Sequence, residues 1–140
     1  MFCTGGGTID PATAEPNGLP CGLFRRSGEV YTLITESSLI PADIVYSHGC
    51  TVGDVDNDGF FDLFVTCYGQ SRLLINNGDG TFNDATPAFG SALDTWSTGA
   101  AFGDVDGDGD PELYVAGYVD WTPDPEDACF GPDGRQNICS

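Results

Sequence analysis

Short runs of alternating apolar and polar residues, broken by clusters of Gly, Asp, Asn and Pro, make up most of this chain. From Phe61 to Tyr68 the apolar Phe61, Leu63, Val65 and Cys67 alternate with Asp62, Phe64 and Thr66, which is strand periodicity. Leu23 to Ser37 reads as two short strands around a Ser27-Gly28-Glu29 turn, and Tyr46 to Gly53 as another strand. Arg72 to Asn76 and Thr81 to Thr86 flank Asn77-Gly78-Asp79-Gly80, whose Asn-Gly and Asp-Gly steps supply the positive φ a hairpin turn needs. Tyr46 to Thr86 therefore predicts a four-stranded antiparallel meander. The pattern restarts at Trp96 to Gly103 and Leu113 to Val119, then gives way to the Pro/Asp/Gly-rich stretch Asp120 to Ser140. No stretch carries a helical period, so the fold class is all-β.

The pattern repeats because one loop occurs twice. Gly-Asp-Val-Asp-Asn-Asp-Gly-Phe-Phe-Asp (Gly53 to Asp62) returns fifty residues later as Gly-Asp-Val-Asp-Gly-Asp-Gly-Asp-Pro-Glu (Gly103 to Glu112). A fixed period of this size marks repeat architectures. Carboxylates at loop positions 1, 3, 5 and 9 are Asp54, Asp56, Asp58 and Asp62, then Asp104, Asp106, Asp108 and Glu112. Without a cation they repel one another. Hard oxygen donors in a glycine-softened loop suit Ca²⁺ better than Mg²⁺, which keeps more of its water. The expectation is two Ca²⁺ sites. An EF-hand opens with the same residues but needs a Glu at position 12 and flanking helices, whereas Val65 and Val115 stand there within β-rich runs.

Composition narrows the function classes. The net charge is −18, from 22 acids against four arginines and no lysine, so nothing here can neutralise nucleic-acid phosphates. No apolar run reaches the ~18 residues of a membrane span. The N-terminal Met-Phe-Cys-Thr-Gly-Gly-Gly lacks the basic and apolar regions of a signal peptide. Six cysteines without a CxxC pair, and a single histidine, favour disulfides in an oxidising compartment over a zinc site. If Val52 lies opposite Val65, Cys50 falls opposite Cys67. The repeat agrees, since the equivalent positions are Ala100 and Gly117, both small. Cys129 and Cys139 would then staple the last loop, leaving Cys3 with Cys21 by elimination. His48 has no nucleophile motif beside it and reads as structural, so no catalytic residue is expected and the chain is not an enzyme. Trp96, Trp121, Phe64, Tyr114 and Tyr118 read as core.

The two aspartate loops, the Leu-Phe-Val that follows the first, and Leu-Leu-Ile-Asn-Asn-Gly-Asp-Gly-Thr-Phe-Asn-Asp-Ala-Thr together resemble the FG-GAP or VCBS repeats of integrin-α-like β-propellers, of the secreted bacterial and cartilage acidic protein type. The segment from Cys129-Phe-Gly-Pro-Asp-Gly-Arg to Cys139 resembles an insertion of that group. The resemblance implies a loop joining the first two strands of each blade, with a backbone carbonyl at position 7, from Phe60 and from Asp110, completing each Ca²⁺ site. It also implies an organisation: an irregular arm over 1–22, then propeller repeats over 23–140. Within these, 23–40 is a half blade, 46–90 a full four-stranded blade, 96–119 a half blade and 120–140 a disulfide-stapled loop. A partial β-propeller is therefore expected, since closed propellers need about 4–8 blades. The implied function is an extracellular or cell-surface calcium-binding module for binding or adhesion. Its partners would be a protein or a glycan, with no nucleic acid and no membrane span. Because the pattern is cut mid-blade, the chain reads as a piece of a longer propeller; the alternative is a structural subunit whose copies join head to tail through incomplete blades into a ring or filament.

Overall fold

The computed structural model describes residues 2–3, 5–10, 16–44, 46–118, 129–130 and 136–137. In chain order the first strands are β1 (Phe2–Cys3), β2 (Gly7–Ile9), β3 (Pro16–Gly18), β4 (Gly22–Ser27) and β5 (Val30–Leu33). They are followed by β6 (Ser47–Gly53), β7 (Asp62–Cys67), β8 (Arg72–Asn76) and β9 (Phe82–Asp84). A 3-10 helix, Thr86–Leu93, leads to β10 (Ser97–Gly103) and β11 (Glu112–Gly117), and a last pair is β12 (Cys129–Phe130) with β13 (Gln136–Asn137). All strand pairings are antiparallel.

The expected meander is present as a four-stranded sheet in the order β6-β7-β8-β9. Leu63 pairs with Leu74 and Phe64 with Leu73, so the two faces of this sheet carry separate apolar sets. On one face Leu63, Val65, Cys67, Leu74 and Phe82 pack with Ile40 and Ile44, and with Cys21 and Leu23 at the start of β4. On the other, Phe64 and Leu73 pack with Leu93 of the 3-10 helix and with Ala100, Phe102 and Leu113 of the β10–β11 hairpin. The sheet is thus a middle layer, with the β4–β5 unit on one side and the β10–β11 hairpin on the other. All six residues of β7 are buried. The alternation expected for a half-buried strand therefore becomes a strand covered on both faces, with Phe61 the exposed exception.

Several expectations change. The arm read as irregular holds three short strands, and β1 joins β4 and β5 in one sheet. The 3-10 helix arises where no helix is expected; it has Pro87 near its start and is interrupted at Gly90, whose φ is 56°. Its buried residues are only Thr86 and Leu93, so an apolar stripe is missing from the sequence. The hairpin register also differs. Val52 lies opposite Leu63, not Val65, and Cys50 lies opposite Val65. A bulge between Ser47 and Gly49 then brings Ser47 opposite Cys67. Cys21, Cys50 and Cys67 are free thiols, with Cys67 buried and pushed up to about 12 by that burial. The expected Cys129–Cys139 pair lies outside the described residues, as does the Cys3 side chain.

Candidate cation-binding loops

Each aspartate loop closes a hairpin: the first joins β6 to β7 and the second joins β10 to β11. Loop position 4 has positive φ in both copies (Asn57 59°, Gly107 80°), and so has position 6 (Gly59 91°, Gly109 95°). These are residue types that tolerate the left-handed region, which explains why those positions read Asn or Gly, then Gly. With the chain so curled, the position-1 carboxylate reaches inward. Asp54 accepts from the amides of Asp58 at 3.0 Å and Gly59 at 3.0 Å. Asp104 accepts from Gly107 at 2.7 Å and Gly109 at 3.1 Å. Position 5 caps the amide of position 7 in both loops, Asp58 to Phe60 at 2.8 Å and Asp108 to Asp110 at 2.9 Å.

The outcome is two equivalent triads. One oxygen from each of Asp54, Asp56 and Asp58 lies within 4.8 Å of the others, and the same holds for Asp104, Asp106 and Asp108. Oxygens on opposite sides of a Ca²⁺ are about 4.6–5.2 Å apart, from metal–oxygen distances of about 2.3–2.6 Å. The donor set is therefore hard, anionic and spaced for a divalent cation. Crowding is visible in the first loop. The Asp56 carboxyl is held above its ordinary range, chiefly by loss of water and then by the negative charge of Asp58, Asp62 and Asp54.

Asp62 and Glu112 stand apart from these triads. Asp62 is fully buried; it accepts from the amide of Val55 at 2.8 Å and from the amide of Asn76 at 2.8 Å, tying the loop to the end of β8. Glu112 makes the first of these contacts, to Val105 at 2.8 Å, without the second. Asn57 was not singled out by the sequence, yet its Nδ2 donates to Asp110 Oδ1 at 2.5 Å and brings the two loops side by side. The Phe60 ring lies against Gly78 in the β8–β9 turn, while Phe60 and Asp110 stand at the position-7 places of the loops.

The residues set aside as core divide. Phe64 is fully buried, but Tyr114 and Tyr118 are 53% and 61% exposed, because no further layer covers β11 among the described residues. Trp121 lies outside the described residues. Trp96 is half-buried and donates its indole N–H to His48 Nε2 at 2.9 Å.

Three stacked all-β units, two of them carrying matching acidic hairpin loops, define a repeat protein of partial-propeller type. Residues 54–115 match the family model described as FG-GAP-like repeat. Comparisons with curated proteins and with solved structures give no match. Among the described residues no helix is long and apolar enough to cross a membrane.

Proposed function

We propose that this chain is a calcium-binding β-propeller repeat module that acts outside the cell or at its surface in binding or adhesion, with calcium structural and no catalytic role. The observation that carries the reading is the pair of equivalent carboxylate triads, each on a hairpin loop of a packed sheet. Asp54, Asp56 and Asp58 would hold one ion and Asp104, Asp106 and Asp108 the other; Asp62, Glu112 and the carbonyls of Phe60 and Asp110 stand next to them in the loops. A bound Ca²⁺ supplies compensating positive charge. Metal that binds only the folded state stabilises it by mass action. Extracellular modules often bind Ca²⁺ at about 10⁻⁴–10⁻³ M, so these loops would be filled outside cells. The large surplus of acid suits a calcium-rich medium and a protein or glycan partner better than a polyanion.

Disulfides belong to the same reading. Cys50 and Cys67 share one face of the β6–β7 hairpin in a diagonal relation, so a bridge between them requires a local shift of the strands. Thermal melts in excess EGTA and in millimolar Ca²⁺ test the function. At millimolar Ca²⁺ and a Kd of about 10⁻⁴ M each site adds about 1.4 kcal/mol, so the two sites together should raise the midpoint by about 10 °C. An unchanged midpoint removes calcium from the account.

A further inference from the structure

The end of the hairpins opposite the acidic loops carries a chain of rings. Tyr46 precedes β6 and Tyr68 follows β7; fifty residues on, Trp96 precedes β10 and Tyr118 follows β11. The equivalence is structural as well: the amide of Tyr68 donates to the carbonyl of Tyr46 at 3.0 Å, and that of Tyr118 to Trp96 at 2.7 Å. Within the first repeat Tyr46 and Tyr68 are 5.6 Å apart between ring centres, and within the second Trp96 and Tyr118 are 5.3 Å apart. Across the seam Tyr68 meets the edge of Trp96 at 5.0 Å. His48 fills the remaining corner, 5.4 Å from Tyr46 and nearly parallel to Trp96 with ring centres 6.0 Å apart.

His48 is the extra residue of the β6 bulge, between Ser47 and Gly49; the corresponding residue of the β10 bulge is Thr98. A bulge leaves its residue out of the ladder and re-aims the side chain. Here it is aimed across the seam. Indole N–H can only donate, so His48 Nε2 at 2.9 Å must accept, and an imidazole accepts only when neutral.

We propose that His48 and Trp96 form a proton-sensitive latch between successive repeats: protonation of His48 abolishes the hydrogen bond that ties the β6–β7 hairpin to the start of β10 at the end opposite the acidic loops. Among the described residues the rings packed against this pair bring the phenols of Tyr46 and Tyr68 and, beyond Trp96, that of Tyr118. Phenols ionise far above the range of a histidine, and burial and then Tyr46 push Tyr68 higher still. From β2 it is Gly7 that reaches Tyr46, and Asp94, before β10, pairs through its backbone with Gln70 and is exposed. Burial pulls His48 below its ordinary 6.5, and a donor aimed at the neutral ring acts in the same direction. The unfolded chain then takes up the proton first. The latch is whole above pH 6.5 and is lost as pH falls from there through the folded value.

The test is an NMR titration of the calcium-loaded chain, following the His48 ring and the Trp96 indole N–H, the latter assigned by its disappearance in Trp96→Phe. The His48 midpoint should lie below 6.5, and the indole resonance should move with that same midpoint. In Trp96→Phe, which keeps an aromatic ring but has no donor, the His48 midpoint should return toward 6.5. In His48→Gln, whose amide oxygen accepts at every pH, the indole resonance should stay in place across the range. An indole signal that ignores the His48 titration, or a wild-type midpoint at or above 6.5, would overturn the proposal even if neither variant folds.

Discussion

At the scale of single residues, the ninth position of each loop separates two jobs that one carboxylate can do. Asp62 is buried and accepts from two backbone amides, Val55 and Asn76, whereas Glu112 accepts from Val105 alone and is partly exposed. Removing the Asp62 side chain leaves two amides unpaired, at about 1–3 kcal/mol each. Asp62→Ala should therefore cost about 2–6 kcal/mol in urea denaturation performed in EGTA, where metal binding cannot contribute. Glu112→Ala should cost clearly less. Equal losses would mean that Asp62 does not brace the β8 end. The sequence made Asp62 legible as an acid at a repeated place, because spacing within a loop is local information. Its contact with Asn76 was not legible, since that depends on how β8 returns along β7. Asn57 was hidden for the same reason, its partner Asp110 lying fifty-three residues away.

At the scale of elements, the layers are stacked through close approaches that a side chain would block. An added Cβ at Gly53 would stand 2.6–3.0 Å from Cδ2, Cγ and Cβ of Phe102, atoms near the base of that ring. Phe102 cannot swing away without leaving the cluster it shares with Phe64 and Leu73. Gly53→Ala should cost about 1–3 kcal/mol, read as a lower denaturation midpoint with unchanged slope. A neutral or stabilising effect would place the β6–β10 seam further apart than described. The strands themselves were legible from period and turn residues. Register was not, because it is set by where the loop closes: Gly53 pairs with Asp62, which puts Cys50 opposite Val65, and the bulge at His48 then brings Ser47 rather than His48 opposite Cys67. The 3-10 helix was hidden by its lack of an apolar stripe.

At the scale of the whole molecule, the match to the FG-GAP-like repeat model over residues 54–115 spans both acidic loops and strands β7 to β9 between them. The four-stranded sheet is covered on both faces, while the outer units present Val30, Tyr31 and Leu33 on one side and Tyr114 and Val115 on the other. That gradient explains why the burial of Phe64 was legible and the exposure of Tyr114 was not: the two residues look alike in sequence, and only the number of stacked layers distinguishes them. The central claim is that the paired triads hold two calcium ions. Calorimetric titration of Ca²⁺ into the chelator-treated chain, with Mg²⁺ in the buffer, tests it most directly. The account predicts two bound Ca²⁺ per chain, one in Asp54→Ala or Asp104→Ala, and none when both are replaced. Absence of binding in the wild-type chain, or binding that survives the double replacement, would contradict it.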